Sequence, residues 1–416
     1  MLGDPTTAAP HERFALVQLR IRRSRRYSPE MKSRCTALLV VGAALAIPAR
    51  AVEPPCALPA VIGDGWRVAS PESSGFDTEA LCATLASVAA GEANLHSVIV
   101  ERHDRLVAEL YRKGQDLSID RLFGLWRPFS PETEFGPTTR HDLRSVSKSV
   151  IGLLVGIARQ QGKIGTLAAP VLDFYPQDAD LRSPEREAID LEHLLTMSSG
   201  LEWDEGALPN DETRLYWSFS PVRFVLSRPI VAAPGRSFNY NSGGTAVLAD
   251  ILIRTSGKPL TELVRTELFE PLGITDWEWV SDLHGRSLAF TGLRMRPRDL
   301  VKLGRMLLDH GQWRGQQIVP AEWVEASLRP HVSTPFRSPP TAAEDLEYGY
   351  QWWVGSVDWR GKQVQWSAGF GNGGQRLFVV PELDLTVVIT AGAYGSPQIN
   401  HTVNALFERI VSAVRE

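Results

Sequence analysis

Arg144-Ser145-Val146-Ser147-Lys148-Ser149, running on into Val150-Ile151-Gly152-Leu153-Leu154-Val155-Gly156-Ile157, is the stretch that decides how this chain is read. Apolar residues at 146, 150, 153, 154 and 157 recur at helical spacing, so a helix with one buried face is expected from Ser145 to about Gln161. Ser145 and Lys148 stand at i and i+3, which places both side chains on one face of the first turn. A serine hydroxyl is a weak nucleophile until a neighbouring base takes its proton. A lysine can be that base only when burial or positive potential lowers its pKa. The start of a helix supplies such potential, and its free N–H groups can donate to an oxyanion. The bland alternative is a helix-capping serine followed by a surface lysine. Among the lysines of the chain, Lys148 alone has a serine three residues before it.

Outward from this helix the periodicity changes twice. Upstream, Asp77–Ala90 carries Leu81, Leu85 and Val88 at helical spacing. Residues 96–101 and 106–111 then read as two strands joined by the short turn His103-Asp104-Arg105. Downstream, helices are expected at 191–197, 246–255, 259–268 and 298–309, broken by glycine and proline turns. After Tyr348 strands return, at 349–354, 363–366, 375–380 and 385–389, and a helix from about 399 to 414 closes the chain. This is an α+β pattern: one antiparallel sheet built from both ends of the chain and flanked by helices, with a mainly helical region inserted. The sheet domain is assigned to residues 52–144 and 345–416, the helical one to 145–344. A cleft between two such lobes is where a small-molecule site is expected.

Two further segments can carry chemistry. Ser237-Phe238-Asn239-Tyr240-Asn241-Ser242-Gly243-Gly244 precedes a helix, and a tyrosine on so tight a turn can reach into a cleft and relay protons. Its alternative is a buried structural tyrosine. Trp366-Ser367-Ala368-Gly369-Phe370-Gly371-Asn372-Gly373-Gly374-Gln375 lies at a strand edge, where glycines permit close backbone approach to a ligand. A backbone N–H there can complete an oxyanion hole with that of Ser145; the alternative is a flexible turn.

In this order, Ser145-x-x-Lys148, Tyr240-x-Ser242 and the glycine-rich strand resemble the Ser-x-x-Lys, Tyr-x-Asn and Lys-Thr-Gly motifs of class C β-lactamases and related serine hydrolases. Flanking text agrees: Leu194-Leu195-Thr196-Met197-Ser198-Ser199-Gly200-Leu201, Asp299–Gly304 and Tyr348–Trp353 look like segments of the same superfamily. The likeness spans roughly residues 64 to 415. Within the superfamily the chain is most similar to the branch of 6-aminohexanoate-dimer hydrolase and its esterase relatives. The resemblance implies the β-lactamase/DD-peptidase-like fold. It implies Ser145 as nucleophile, Lys148 with Tyr240 as the proton-transfer pair, and the N–H groups of Ser145 and Asn372 as the oxyanion hole. Ser242 and Gly371 would touch substrate, and Trp203 and Trp217 would line the pocket, unless they are core tryptophans. Two departures stand out. Ser242 replaces an asparagine, and Gly369-Phe370-Gly371 replaces Lys-Thr-Gly, removing the cation that would hold a substrate carboxylate. A neutral or amine-bearing amide or ester is therefore expected in preference to a β-lactam or a D-alanyl-D-alanine peptide. A non-catalytic ligand-binding module on the same fold is the reading from another class.

Composition narrows the remainder. The 416 residues carry a formal net charge of -4 with 22% charged side chains, and no basic cluster lies beyond residue 51, which argues against nucleic acid. Met31-Lys32-Ser33-Arg34, the apolar run 37–47 and Pro48-Ala49-Arg50-Ala51 form a secretory signal over residues 31–51, too short to span a bilayer, which needs about 20 apolar residues. Residues 1–30 read as an upstream extension or a start artefact. Export to the periplasm or medium is expected, with no membrane insertion after cleavage. In an oxidising compartment Cys56 and Cys82 are a disulfide candidate, with two unpaired thiols the alternative. The nine histidines lack zinc-ligand spacing, and neither a P-loop nor a Gly-x-Ser-x-Gly elbow occurs, so no metal or cofactor is expected. His141 is expected to be a loop histidine satisfied by solvent.

Overall fold

The computed structural model describes residues 56–119, 132–206, 209–337 and 345–415; the expectations for residues 1–51 lie outside them. Nine strands form the main sheet: β1 (Arg67–Val68), β2 (Leu95–Arg102), β3 (Arg105–Tyr111), β4 (Val332–Arg337), β5 (Asp345–Tyr348), β6 (Trp353–Trp359), β7 (Lys362–Gly371), β8 (Gln375–Val380) and β9 (Leu385–Ala391). Their spatial order is β1-β3-β2-β9-β8-β7-β6-β5-β4, so β2 and β9 join the two ends of the chain side by side. All neighbours are antiparallel except β1, which runs parallel to β3 at one edge.

Both faces of this sheet are covered. In β9, Leu385, Val387 and Ile389 point to one core with Val98 and Val100 of β2, while Val388 and Ile99 point to the other. This two-residue alternation sends every second side chain to the opposite face. Since both faces are buried, β2 is buried at every position, including the polar His96, Ser97, Glu101 and Arg102. One face carries α1 (Thr78–Ala90), opened by Asp77 accepting from the Ala80 N–H at 2.9 Å, and the terminal α5 (Pro397–Ser412). The other carries α2 (Val146–Gln160) and α4 (Pro297–Leu308). Beyond them lies the helical region, led by α3 (Ser242–Ser256).

Local readings diverge at several points, three of which shape the fold. First, α2 is buried all round from Val146 to Ala158, not on one face. Its glycines explain how: a Cβ on Gly152 would meet the Tyr350 carbonyl at 2.9 Å, and one on Gly156 would strike the Trp323 ring. Second, the strand expected at 349–354 is a bend followed by β6, because Gln351 takes a left-handed φ of 66° and turns its amide inward. There it accepts from Thr245 Oγ1 at 2.7 Å and donates to the Leu194 and Leu195 carbonyls. Third, β4 falls within the range assigned to the helical region yet pairs with β5 as the far edge of the sheet. Cys56 and Cys82 are disulfide-bonded, with Cα atoms 5.3 Å apart.

Candidate active site

The turn that carries Ser145 is built by a short sheet. His141-Asp142 pairs with Leu293–Met295, and the Leu143 N–H donates to the Leu293 carbonyl at 2.9 Å. Arg144 then turns the chain with a left-handed φ of 50°, and Ser145 opens α2. Ser147 locks the turn from inside, donating its hydroxyl to the Arg144 carbonyl at 2.6 Å and accepting from the Leu293 N–H at 3.1 Å. His141 is buried, not solvated: its ring stacks on Phe135 at 4.2 Å, and burial drives its pKa well down. It is a neutral structural histidine.

Ser145 makes no side-chain cap, although it occupies the capping position. Its Oγ lies 2.8 Å from Lys148 Nζ, which also donates to the Phe290 carbonyl at 3.0 Å. Lys148 is 1% exposed, so the surface-lysine alternative fails. Burial lowers its pKa, opposed by the nearby carboxylates Glu205 and Glu212. Tyr240 completes the group: it lines the same cavity as Ser145, and Lys148 Nζ lies 4.9 Å from its ring centroid. Burial raises the phenol pKa well above its usual value, so Tyr240 carries its proton at neutral pH. The tyrosine turn is clamped from Leu194–Leu201: Met197 accepts the Asn239 N–H through its carbonyl at 2.7 Å and the Asn241 N–H through its sulfur at 3.3 Å. Asn241 in turn caps α3 through the Gly244 N–H at 3.0 Å.

The glycine-rich strand closes the site opposite. At Gly371, the last residue of β7, a Cβ would lie 2.4 Å from the Leu143 carbonyl, so only glycine lets the strand approach the turn before Ser145. The backbone N–H groups of Ser145 and Asn372 find no acceptor among the described residues, and both residues line one cavity of about 450 Å³. Asn372 is held by its side chain, which accepts the Gly395 N–H at 2.9 Å.

Besides Arg144, which adjoins Ser145, three charged groups on this cavity were missed by sequence reasoning: Glu205, Glu212 and Arg376. The carboxylates are gathered by Ser242, whose N–H donates to Glu205 at 2.8 Å and whose hydroxyl donates to Glu212 at 3.0 Å. Ser242 is thus fully buried behind the wall, not on it. Burial, reinforced by Glu205, pushes the Glu212 pKa up to about 7. The acid-rich run from Glu202 to Glu212 was the available signal. Arg376, opposite Phe370 in the β7–β8 register, packs its guanidinium 4.1 Å from that ring's centroid and donates to Asn400 at 2.7 Å. It has no carboxylate partner among the described residues, and burial lowers its pKa to about 9. Trp203 is buried, donates to Glu205 at 2.9 Å and lines a second cavity; Trp217 is half exposed and lines neither. Among the described residues no cluster of histidine, cysteine and carboxylate groups could hold a metal.

A serine within hydrogen-bond reach of a buried lysine at the mouth of a helix, between a covered sheet and a helical region, defines a class. The family model described as Beta-lactamase matches residues 97–406, so the chain belongs to the beta-lactamase family. It is 27% identical over 322 residues to 6-aminohexanoate-dimer hydrolase of Paenarthrobacter ureafaciens, covering 73% of this chain and 74% of that protein. It is 32% identical over 198 residues to Esterase EstB of Burkholderia gladioli, covering 44% and 46%. In fold it is similar to the octameric penicillin-binding protein homologue from Pyrococcus abyssi, with a TM-score of 0.57, 20% identity and coverage of 79% and 75%. Its relatives are thus hydrolases of the β-lactamase superfamily, and the expected fold class holds.

Proposed function

We propose that this chain is an exported serine hydrolase that cleaves an amide or ester through an acyl-enzyme on Ser145. The observation that carries this reading is the 2.8 Å approach of a fully buried Lys148 Nζ to Ser145 Oγ. In its neutral form Lys148 accepts the Ser145 proton as Oγ attacks the carbonyl carbon. The developing oxyanion is met by the N–H groups of Ser145 and Asn372, which have no acceptor to give up among the described residues. Collapse breaks the bond to the leaving alcohol or amine, which takes its proton from Tyr240, itself resupplied by Lys148. Water then attacks the acyl-enzyme by the same steps in reverse. Gly369 stands where a lysine would hold a carboxylate, which favours a neutral or amine-bearing substrate; Glu205 and Glu212 line the cavity alongside Arg144 and Arg376.

The second reading, a D-alanyl-D-alanine carboxypeptidase or β-lactamase, is favoured by Arg376, whose guanidinium has no carboxylate partner among the described residues and lies against the cavity. Export is supported by the signal-like residues 31–51 and by the Cys56–Cys82 disulfide, a bond of oxidising compartments. The test is labelling with a fluorophosphonate read by intact mass, followed by turnover of amides, esters and β-lactams. One adduct on the wild type, absent from Ser145→Ala, is expected, with turnover abolished in that variant. Wild-type turnover by Ser145→Ala would sink the mechanism. A β-lactam that acylates faster than simple esters do would favour the second reading.

A further inference from the structure

A second cavity, of about 490 Å³, opens beside the catalytic one, and Glu205, Tyr240, Trp353, Phe370, Arg376 and Asn400 line both. Its walls are unusually aromatic. Tyr240, Trp353 and Phe370 stack in series, with centroids 5.7 and 5.6 Å apart and interplanar angles of 22° and 19°. Phe238 leans on Trp353 at 5.8 Å, and Phe336 meets the same ring edge-on at 5.9 Å. Phe336 is nonetheless 48% exposed, an apolar face left in water at the cavity's edge. Flat apolar walls around a volume of this size suit a ring or a compact hydrocarbon body, which gains both burial and offset or edge-to-face contacts.

Which half of a substrate enters is decided by the proton. The acid that protonates a departing heteroatom must stand next to it. Tyr240 lines the catalytic cavity together with Ser145, its ring 4.9 Å from Lys148 Nζ, and also forms part of the wall of the aromatic cavity. A group whose heteroatom sits at Tyr240 extends into that cavity. We infer that the cavity walled by Phe238, Phe336, Trp353 and Phe370 is the leaving-group subsite, selecting substrates whose departing alcohol or amine carries an aromatic or other flat apolar body. This rests on the hydrolase reading above and names the half of the substrate that reading leaves open.

The test compares two ester pairs with matched reactivity. Propyl and 3-phenylpropyl acetate differ only in the leaving alcohol; methyl butanoate and methyl 4-phenylbutanoate differ only in the acyl group. In the wild type the phenyl group is expected to raise kcat/KM roughly 10-fold or more in the first pair, the scale of burying one aromatic ring, and little in the second. Phe336→Ala, at a half-exposed position on edge strand β4, should cut the first ratio several-fold, as should Phe238→Ala. A preference confined to the acyl pair, or a first ratio that Phe336→Ala does not move, would overturn the inference. Binding of 3-phenylpropanol, read by quenching of Trp203 and Trp353 fluorescence, separates the two claims. Binding weakened by Phe336→Ala without turnover of any ester would leave an aromatic site but refute the hydrolase reading and the leaving-group role. Turnover without such binding would refute the subsite alone.

Discussion

Replacing Gly371 by alanine should disable the site while sparing the fold. The new methyl would sit 2.4 Å from the Leu143 carbonyl oxygen, where real Cβ contacts do not fall below 3.0 Å, so the two backbones must part by about 0.6 Å. Gln375, whose Cβ lies 2.9 Å from the same point, blocks retreat along the sheet. Overpacking of this kind typically costs about 1–3 kcal/mol, which a domain of this size survives. The catalytic effect is larger, because the displacement falls between the two N–H groups expected to hold the oxyanion: Leu143 is two residues before Ser145, and Asn372 directly follows Gly371. A misplacement approaching 1 Å can cost on the order of 10²-fold, and loss of one oxyanion donor about 10²–10³-fold. We expect kcat on a p-nitrophenyl ester to fall roughly 100-fold with KM little changed, and a midpoint of thermal unfolding only a few degrees lower. Gly165→Ala is the control, since its Cβ would meet nothing within 4 Å. A folded Gly371→Ala protein with wild-type kcat would refute the assignment of Asn372 to the oxyanion hole.

Three other outcomes follow from charge and covalent structure. Glu212 opposes the lowering of the Lys148 pKa, so Glu212→Gln should move the acid limb of the kcat/KM profile to lower pH; a shift upward would contradict the electrostatics. His96 is buried with its pKa lowered to about 4, so the unfolded chain binds more protons than the folded one between pH 6.5 and 4. Stability should therefore fall as pH drops through that window, by up to about 3 kcal/mol from this group, and urea midpoints in His96→Phe should show a shallower fall. The Cys56–Cys82 bond closes a separation of 26 residues, for which chain entropy predicts about 3–4 kcal/mol. Reduction should lower the urea midpoint accordingly, and an unchanged midpoint would show that the unfolded chain gains little freedom there.

The fold and the core of the site were legible for local reasons. Apolar spacing located α1, α2, β2, β3, β8 and β9 nearly to their observed ends, since each carries apolar residues at helical spacing or in a short strand-length run. β4 was missed because Val332–Arg337 contains Pro335 and buries a single side chain, a pattern tolerated only at a sheet edge. The bend at Gln351 was missed because its cause is distant, in Thr245 and the Leu194–Leu195 carbonyls.

Sequence alone determined that Ser145 and Lys148 share a helical face, since i and i+3 are neighbours on any helix, and that Tyr240 and Gly371 lie on segments built for close approach. Tertiary structure alone decided the charge and shape around them. Glu205 and Glu212 meet through Ser242, and Arg376 reaches the cavity because it pairs with Phe370 across two strands. The same packing turned Ser242 inward and left Trp217 outside both cavities. Spacing along one helix is a local geometric constant, whereas burial, which set the Lys148, Tyr240 and Glu212 pKa values, depends on every element packed around a group.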